Sequence, residues 1–266
     1  MNEITINNLK FRKLVKFWSN DGELNCGKCP AYNVCIHTKG SCEKIMYKYL
    51  AVSDNMETQT KKTGLPENVV KNMEIFHEYI EKYLDKVDGV ENLFDWLKSE
   101  DFFTAPASTK YHGNYEGGLC EHSIHVCECM LNIIRSEAFS SISCNVDKRS
   151  AVLVALFHDV CKVNYYAVST RNVKNEYGNW EKVPYYTIRE KFPAGHGEKS
   201  VMILQKYLKL MPDEMMAINW HMGFSDARAK DPIGMNQVSN AFKKYPLAYL
   251  LHVADMQATY YKDIAK

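Results

Sequence analysis

The sequence predicts a mainly α protein: a helical bundle with one inserted β-hairpin and a small cysteine-bearing module at the N-terminus. Three observations carry that reading. Apolar residues recur at spacings of three and four in segment after segment. One stretch breaks the rhythm and is rich in Tyr, Val and Thr. Four of the nine cysteines crowd between Cys26 and Cys42.

The elements follow in order. Residues 1–50 hold the cysteine cluster, and 51–66 (AVSDNMETQTKKTGLP) are polar and end in Gly-Leu-Pro, which reads as a linker. Residues 67–266 read as one unit. In 67–87 the stripe is Val69, Met73, Phe76, Ile80 and Leu84. In 121–135 it is Ile124, Val126, Met130, Leu131 and Ile134. Segments 148–160, 197–210, 213–222 and 245–262 repeat the pattern, with Pro212-Asp213 as a helix start. Residues 164–188 carry Asn175-Glu176-Tyr177-Gly178 mid-way and predict the hairpin.

Composition narrows the function classes. The 266 residues are 46% hydrophobic, enough for one large domain, or an ordinary domain plus a small one. Lys+Arg at 33 against Asp+Glu at 32 gives a net charge of +1. That excludes a uniformly basic nucleic-acid coat and leaves room for a local basic patch. No run of about 18 apolar residues suggests a membrane span. The start, MNEITINNLK, lacks the pattern of a secretory leader, so a cytoplasmic location with reduced thiols is expected. Nine cysteines is also an odd number, which rules out complete disulfide pairing within one chain.

Nine histidines are present, several in apolar company. His158-Asp159 closes the run AVLVALFHDV, and a helix burying Val152, Ala155 and Leu156 carries the pair inward. Burying both groups unpaired costs several kcal/mol, about 2–7 for each neutral polar group alone, and metal ligation is one remedy. His122 lies in GGLCEHSIHV, His196 in FPAGHGEKS, His221 in INWHMG and Asp255 in LLHVADMQA. Each alone reads as a hydrogen-bonded core residue. Four imidazoles and two carboxylates on or beside apolar helices suit a site inside a bundle. Such ligands suit Mn, Fe, Zn, Ni or Co.

The order His122, His158-Asp159, Asp255 resembles the HD-domain metal-dependent phosphohydrolases. The words YHGNYEGGLCEHS, LFHDVCK, FPAGHGEKS, WHMG and LHVADMQAT are similar to that family across 100–260. They most resemble a bacterial and bacteriophage group of HD hydrolases. The resemblance implies an HD-domain helical bundle in which His122, His158, Asp159 and Asp255 hold one metal. His196 and His221 match the extra histidines of binuclear members, with Asp159 bridging. Two ions about 3.5–4 Å apart activate a hydroxide and stabilise the attacked phosphorus, so no Ser or Cys nucleophile is needed. Lys162 matches the basic residue of the HDxxK form and would neutralise a phosphate oxygen. Cys161 stands where many relatives have Gly and reads as a small buried residue, with a metal-ligand role as the lesser reading. The GYP extension of cyclic-di-GMP phosphodiesterases is absent around WHMGFSD.

Other polar residues are candidates by position. His112 and Tyr115 precede Gly117-Gly118 and either face the pocket or hydrogen-bond structurally. His112 is read as a phosphate ligand or general acid. Arg171, Lys174 and Lys191 lie in or beside the hairpin, where a cation either gathers phosphate or is solvated. His77, His125 and His252 read as structural, with His125 one turn after His122 and placed to support it. Cys120, Cys127, Cys129 and Cys144 read as packing or surface residues.

Cys26-Gly-Lys-Cys29 followed by Cys35 and Cys42 is C-x2-C-x5-C-x6-C. A CxxC turn presents two thiolates to one tetrahedral metal, and two later cysteines complete the set. A unit this short has no core of its own, so metal binding supplies its folding energy. Structural Zn is the expected occupant and a 4Fe–4S cluster the second.

The leading expectation is a binuclear phosphohydrolase acting on a small phosphorylated substrate, a nucleotide ester or anhydride. The alternative is a 3′–5′ exonuclease or phosphodiesterase in which the cysteine module guides RNA or DNA. A non-catalytic nucleotide-binding module and a di-iron oxygenase are the remaining readings.

Overall fold

The computed structural model describes residues 64–263 together with two short strands near the N-terminus. Cys26, Cys29, Cys35 and Cys42 lie outside the described residues, as does most of the expected linker. The chain divides into two units, Met1–Val70 and Lys71–Lys266. In the first, β1 (Ile4–Ile6) and β2 (Leu9–Phe11) pair antiparallel, with Ile4 opposite Phe11.

Helix α1 (Glu67–Tyr83) leads into the second unit. There follow α2 (Val90–Ser99), α3 (Gly118–Arg135), the single turn α4 (Ser140–Ser143) and α5 (Lys148–Phe157). After the hairpin β3 (Tyr166–Lys174) and β4 (Trp180–Ile188) come α6 (His196–Leu204) and α7 (Pro212–Asn219). The unit closes with α8 (Pro232–Lys244) and α9 (Pro246–Tyr261). It is a mainly helical structure with a small antiparallel hairpin, as the periodicity predicts. Among the described residues no helix is long and apolar enough to cross a membrane.

The centre of the bundle is α5. Every residue from Ser150 to Phe157 is buried, so this helix is covered all round. Helices α3 and α9 pack on it, and α7 closes beside them. Its start is fastened by charge and capping. Asp147 accepts a hydrogen bond from the Ser150 amide at 3.2 Å. The fully buried Glu214 of α7 accepts from Arg149 at 2.8 Å and from the Ser150 hydroxyl at 2.7 Å. The Met211 amide donates to its other oxygen at 2.8 Å. A buried carboxylate so fully satisfied holds α7 to α5 without an unpaired charge. The far end differs from the expectation of a helix to residue 160. The α-helix stops at Phe157, and a 3₁₀ turn, Val160–Lys162, follows Asp159.

An aromatic cluster fills the other side. The Phe76 ring lies 5.3–5.6 Å, edge to face, from Phe102, Phe103 and Phe157, and stacks on Phe94 at 6.4 Å. Phe157 therefore ties this cluster to the helix that ends at the histidine pair.

The hairpin falls where the Tyr-, Val- and Thr-rich stretch predicts it, in register from Tyr166 opposite Ile188 to Lys174 opposite Trp180. Asn175 shapes the turn by accepting from the amides of Tyr177 and Asn179. Neither strand contains a fully buried residue, so the ribbon gains little from burial. Its base is fixed instead. Asn164 takes a left-handed φ of 56°, and its amide donates to Asp101 at 2.6 Å. The Tyr166 hydroxyl donates to the Ala107 carbonyl at 3.0 Å. Helices α2, α4 and α8 are additions to the elements read from the sequence.

Truncating Phe76→Ala is expected to lower the unfolding free energy by about 3–5 kcal/mol in urea titrations, the usual cost of emptying a packed aromatic site. Tyr177→Ala, at the exposed tip of the hairpin, is expected to change it by no more than about 0.5 kcal/mol. A loss below about 1 kcal/mol for Phe76→Ala would show that the cluster is not part of the cooperative core.

Candidate metal centre

Five segments deliver the predicted ligands to one place. His158 and Asp159 emerge at the end of the buried α5. His122 sits in the first turns of α3, His196 opens α6, His221 follows α7, and Asp255 lies in the middle of α9. Two close backbone approaches allow this. A Cβ on Gly118 would lie 2.0 Å from the Gly113 carbonyl oxygen, so only glycine lets the preceding loop fold onto the start of α3. A Cβ on Gly197 would lie 2.3 Å from the Asn219 oxygen and 2.5 Å from that of Ile218. Glycine there seats the start of α6 on the end of α7, and His196 beside His221.

Asp159 is the hub, and its two oxygens face different partners. Oδ2 lies 2.7 Å from Lys162 Nζ, 3.4 Å from His158 Nε2 and 3.8 Å from His122 Nε2. Oδ1 lies 2.7 Å from His196 Nε2 and 3.5 Å from His221 Nε2. His122 Nε2 lies in turn 3.2 Å from Asp255 Oδ1 and 3.3 Å from His158 Nε2. His122, His158, Asp159 and His221 are all buried. His196 is the open corner, its side chain 30% exposed.

The proton positions follow from the acceptors behind the rings. His158 Nδ1 is 2.9 Å from the Ala155 carbonyl, and His221 Nδ1 is 2.7 Å from that of Ile218. A carbonyl only accepts, so both Nδ1 atoms carry a proton and each ring turns its Nε2 inward. His122 Nδ1 likewise faces Asp263 Oδ2 at 2.7 Å. Lone pairs and carboxylate oxygens thus converge on one another, which is repulsive unless a cation stands among them. A proton on His122 is one partial answer. Burial pushes that imidazole down, but Asp255 and Asp263 outweigh it and raise it to about 9. His221 has no such answer: burial pushes its pKa down. Its Nε2 is, among the described residues, the one buried side-chain nitrogen or oxygen without a hydrogen-bond partner. Imidazole and carboxylate donors in this arrangement fit divalent transition metals.

The acids are held ionised to match. Burial raises Asp159, yet Lys162 and His158 overcome it and hold its pKa well below the usual carboxylate range. Asp255 is likewise held low, mainly by His122 against the cost of burial. Burial opposes the charge on Lys162, and Asp159 more than restores it.

Asp263 was not among the residues read from the sequence. It is buried just beyond the end of α9 and accepts from both His122 Nδ1 at 2.7 Å and His125 Nδ1 at 2.6 Å. The local signal for it is a polar stripe on an apolar helix, since Asp255, Thr259 and Asp263 recur every four residues. His125 is therefore a supporting group for His122, through this shared carboxylate. His252 braces the other side, its Nδ1 2.7 Å from the His221 carbonyl oxygen.

A cavity of about 310 Å³ opens onto the hub. Its wall includes His122, Asp159, Lys162, His196 and Asp255, with His112, Ser108 and Thr109 adding polar groups and Ile188, Met222, Met256 and Tyr260 apolar ones. His112 stands against His122 with ring centroids 4.9 Å apart. Burial, then the charges of His122 and Lys162, push it down to about 4. It is a neutral imidazole at pH 7, which makes it a hydrogen-bond donor rather than a cationic acid. Three sequence candidates are not gathered into this wall. The Tyr115 hydroxyl donates to Glu121 at 2.7 Å. Arg171 lies over the Tyr185 ring on the hairpin. Lys191 is exposed beyond it.

Family models, curated proteins and solved structures offer no match to this chain.

Replacing Asp263→Asn is expected to weaken Mn²⁺ binding, measured by calorimetry on the folded protein, by about 10–100-fold, the usual cost of losing a partner that orients a ligating histidine. Undiminished binding would show that the Asp263–His122 contact does not orient a ligand.

Proposed function

We propose that the chain is a metal-dependent phosphohydrolase of the HD-domain type, cleaving a phosphate ester or anhydride of a nucleotide at a binuclear centre. The observation that carries this reading is the division of Asp159 between two imidazole sets. Oδ2 faces His122 and His158, while Oδ1 faces His196 and His221. One ion would take His122, His158, Asp159 and Asp255. The second would share Asp159 and take His196 and His221.

Two such ions supply positive charge at a phosphate and a water of lowered pKa. The protein's own groups do the rest. Lys162 keeps its ammonium charged beside Asp159 and offers it to a phosphate oxygen from the cavity wall. Neutral His112 donates a hydrogen bond to a further oxygen. The apolar wall of Ile188, Met222 and Met256 excludes water from the organic part of the substrate. The volume, about 310 Å³, sits at the small end of ligand sites and suits one nucleotide.

A second reading, a 3′–5′ exonuclease or phosphodiesterase, draws on the hairpin. The hairpin sets Lys174 over Trp180 on one face and Arg171 over Tyr185 on the other. Paired cations and rings of this kind suit stacked bases.

The test is phosphate release by metal-loaded full-length protein across nucleoside mono- and triphosphates, cyclic nucleotides and short RNA and DNA. Mononucleotide turnover is expected, abolished by Asp159→Ala and reduced about 10²–10³-fold in kcat by Lys162→Ala. Turnover confined to oligonucleotides would select the second reading. Wild-type turnover in Asp159→Ala would overturn both.

A further inference from the structure

Cys161 has no part in the ligand sets above, yet the fold places it against them. It is buried, two residues after Asp159 in the 3₁₀ turn. Its Sγ lies 3.4 Å from His196 Nδ1 and 3.6 Å from His196 Nε2. Its amide donates to the Ser200 hydroxyl at 3.2 Å, on the same helix that His196 opens, so thiol and imidazole are held in one frame. Asp159, Cys161 and His196 bring an oxygen, a sulfur and a nitrogen within 4.8 Å of one another. The unpartnered Nε2 of His221, itself buried, stands 3.5 Å from the same Asp159 oxygen that His196 meets.

These separations can be compared with the edges of a tetrahedral zinc site. Bonds of about 2.0 Å to nitrogen or oxygen and about 2.3 Å to sulfur give N···S edges near ~3.5 Å and N···O edges near ~3.3 Å. The His221–Asp159 separation, 3.5 Å, is close to such an edge, whereas the Cys161 sulfur, nearly equidistant from the two His196 ring nitrogens at 3.4 and 3.6 Å, comes beside Nε2 only once the ring turns. The His196–Asp159 separation, 2.7 Å, is a direct hydrogen bond and lengthens on ligation.

We infer that Cys161 is a thiolate ligand of the second ion, completing a set of Asp159, His196, His221 and Cys161. The inference rests on the binuclear reading and adds the identity of its outer ion. The thiol loses its proton to solvent as the metal binds. A soft sulfur donor selects Zn²⁺ or Co²⁺ over Mn²⁺ or Mg²⁺ at that position. The His122, His158, Asp159 and Asp255 set has no sulfur and keeps the broader tolerance of imidazole and carboxylate. The two ions are therefore chemically unlike.

Cobalt reads this out without reference to activity. The full-length apoprotein is titrated with Co²⁺, and the near-ultraviolet sulfur-to-cobalt charge-transfer absorption is compared between wild type, Cys161→Ser and Cys161→Ala. Cys26, Cys29, Cys35 and Cys42 contribute equally to every spectrum and cancel in the difference. The expected result is a charge-transfer band lost in both variants, with Zn²⁺ affinity of the outer site falling at least about tenfold and Mn²⁺ affinity of the inner site unchanged. Identical spectra for wild type and both variants, with full cobalt stoichiometry, would overturn the ligand assignment and leave the binuclear reading standing. Cobalt stoichiometry unchanged by Asp159→Ala would overturn both. Should Cys161→Ser fold poorly by circular dichroism, Cys161→Ala gives the same comparison with no polar atom left in the pocket.

Discussion

The structure depends on one constraint: a buried carboxylate, Asp159, set among the ring nitrogens of His122, His158, His196 and His221. Backbone carbonyls behind His158 and His221 turn Nε2 of each ring inward. Taking a charge out of water costs several kcal/mol unless it is paired, and lone pairs facing carboxylates add to the cost. Lys162 offsets part of it from one side, and protonated His122 and His196 offset more. What remains is the unpartnered nitrogen of His221. The same fold hydrogen-bonds Glu214 three ways in its interior, and among the described residues this is the one buried side-chain nitrogen or oxygen it leaves bare.

The surrounding architecture serves the same constraint. A helix buried on every side, α5, carries no polar residue from Ala151 to Phe157 and then delivers two. The aromatic cluster anchors its last turn through Phe157 and so sets where His158 begins. Gly118 admits the preceding loop, and Gly197 the end of α7, to backbone contact with a helix start, which side chains larger than hydrogen would prevent. Asp263 then reaches back from the end of α9 to orient His122. Each of these contacts spends conformational freedom far from the cavity to fix a ring at the cavity.

Legibility in the sequence follows from how local each signal is. The hairpin was readable because β-branched and aromatic residues flank an Asn-x-x-Gly turn. Helices α5 and α9 were readable because long apolar runs have few other uses. His122, His158, Asp159, His196, His221 and Asp255 stood out as polar residues in such runs, and the structure brings all six together. Helix α2 carries its own stripe, Val90, Leu93, Phe94 and Leu97, but is only ten residues long and starts at Gly89, normally a breaker. Helix α8 buries only Gly234, Val238 and Ala241, too few apolar side chains to mark a face. Asp263 meets a histidine 141 residues away, and no local pattern encodes that. Tyr115, Arg171 and Lys191 show the converse. They lie near the site in sequence, yet a helix start and a strand's direction carry them elsewhere.

Burial divides the proposed centre into unlike halves. His122, His158 and Asp255 are held by α3, α5 and α9, the best-packed helices of the bundle, with Asp263 behind them. His196 stands 30% exposed at the first residue of a shorter helix, where the chain has just left the hairpin. An ion there would be the more exposed of the two, at the wall of the cavity. Placing a thiolate on this looser side compensates for exposure with a stronger, more selective bond. On this view Cys161 occupies its position because the outer ion needs a ligand that geometry alone does not secure.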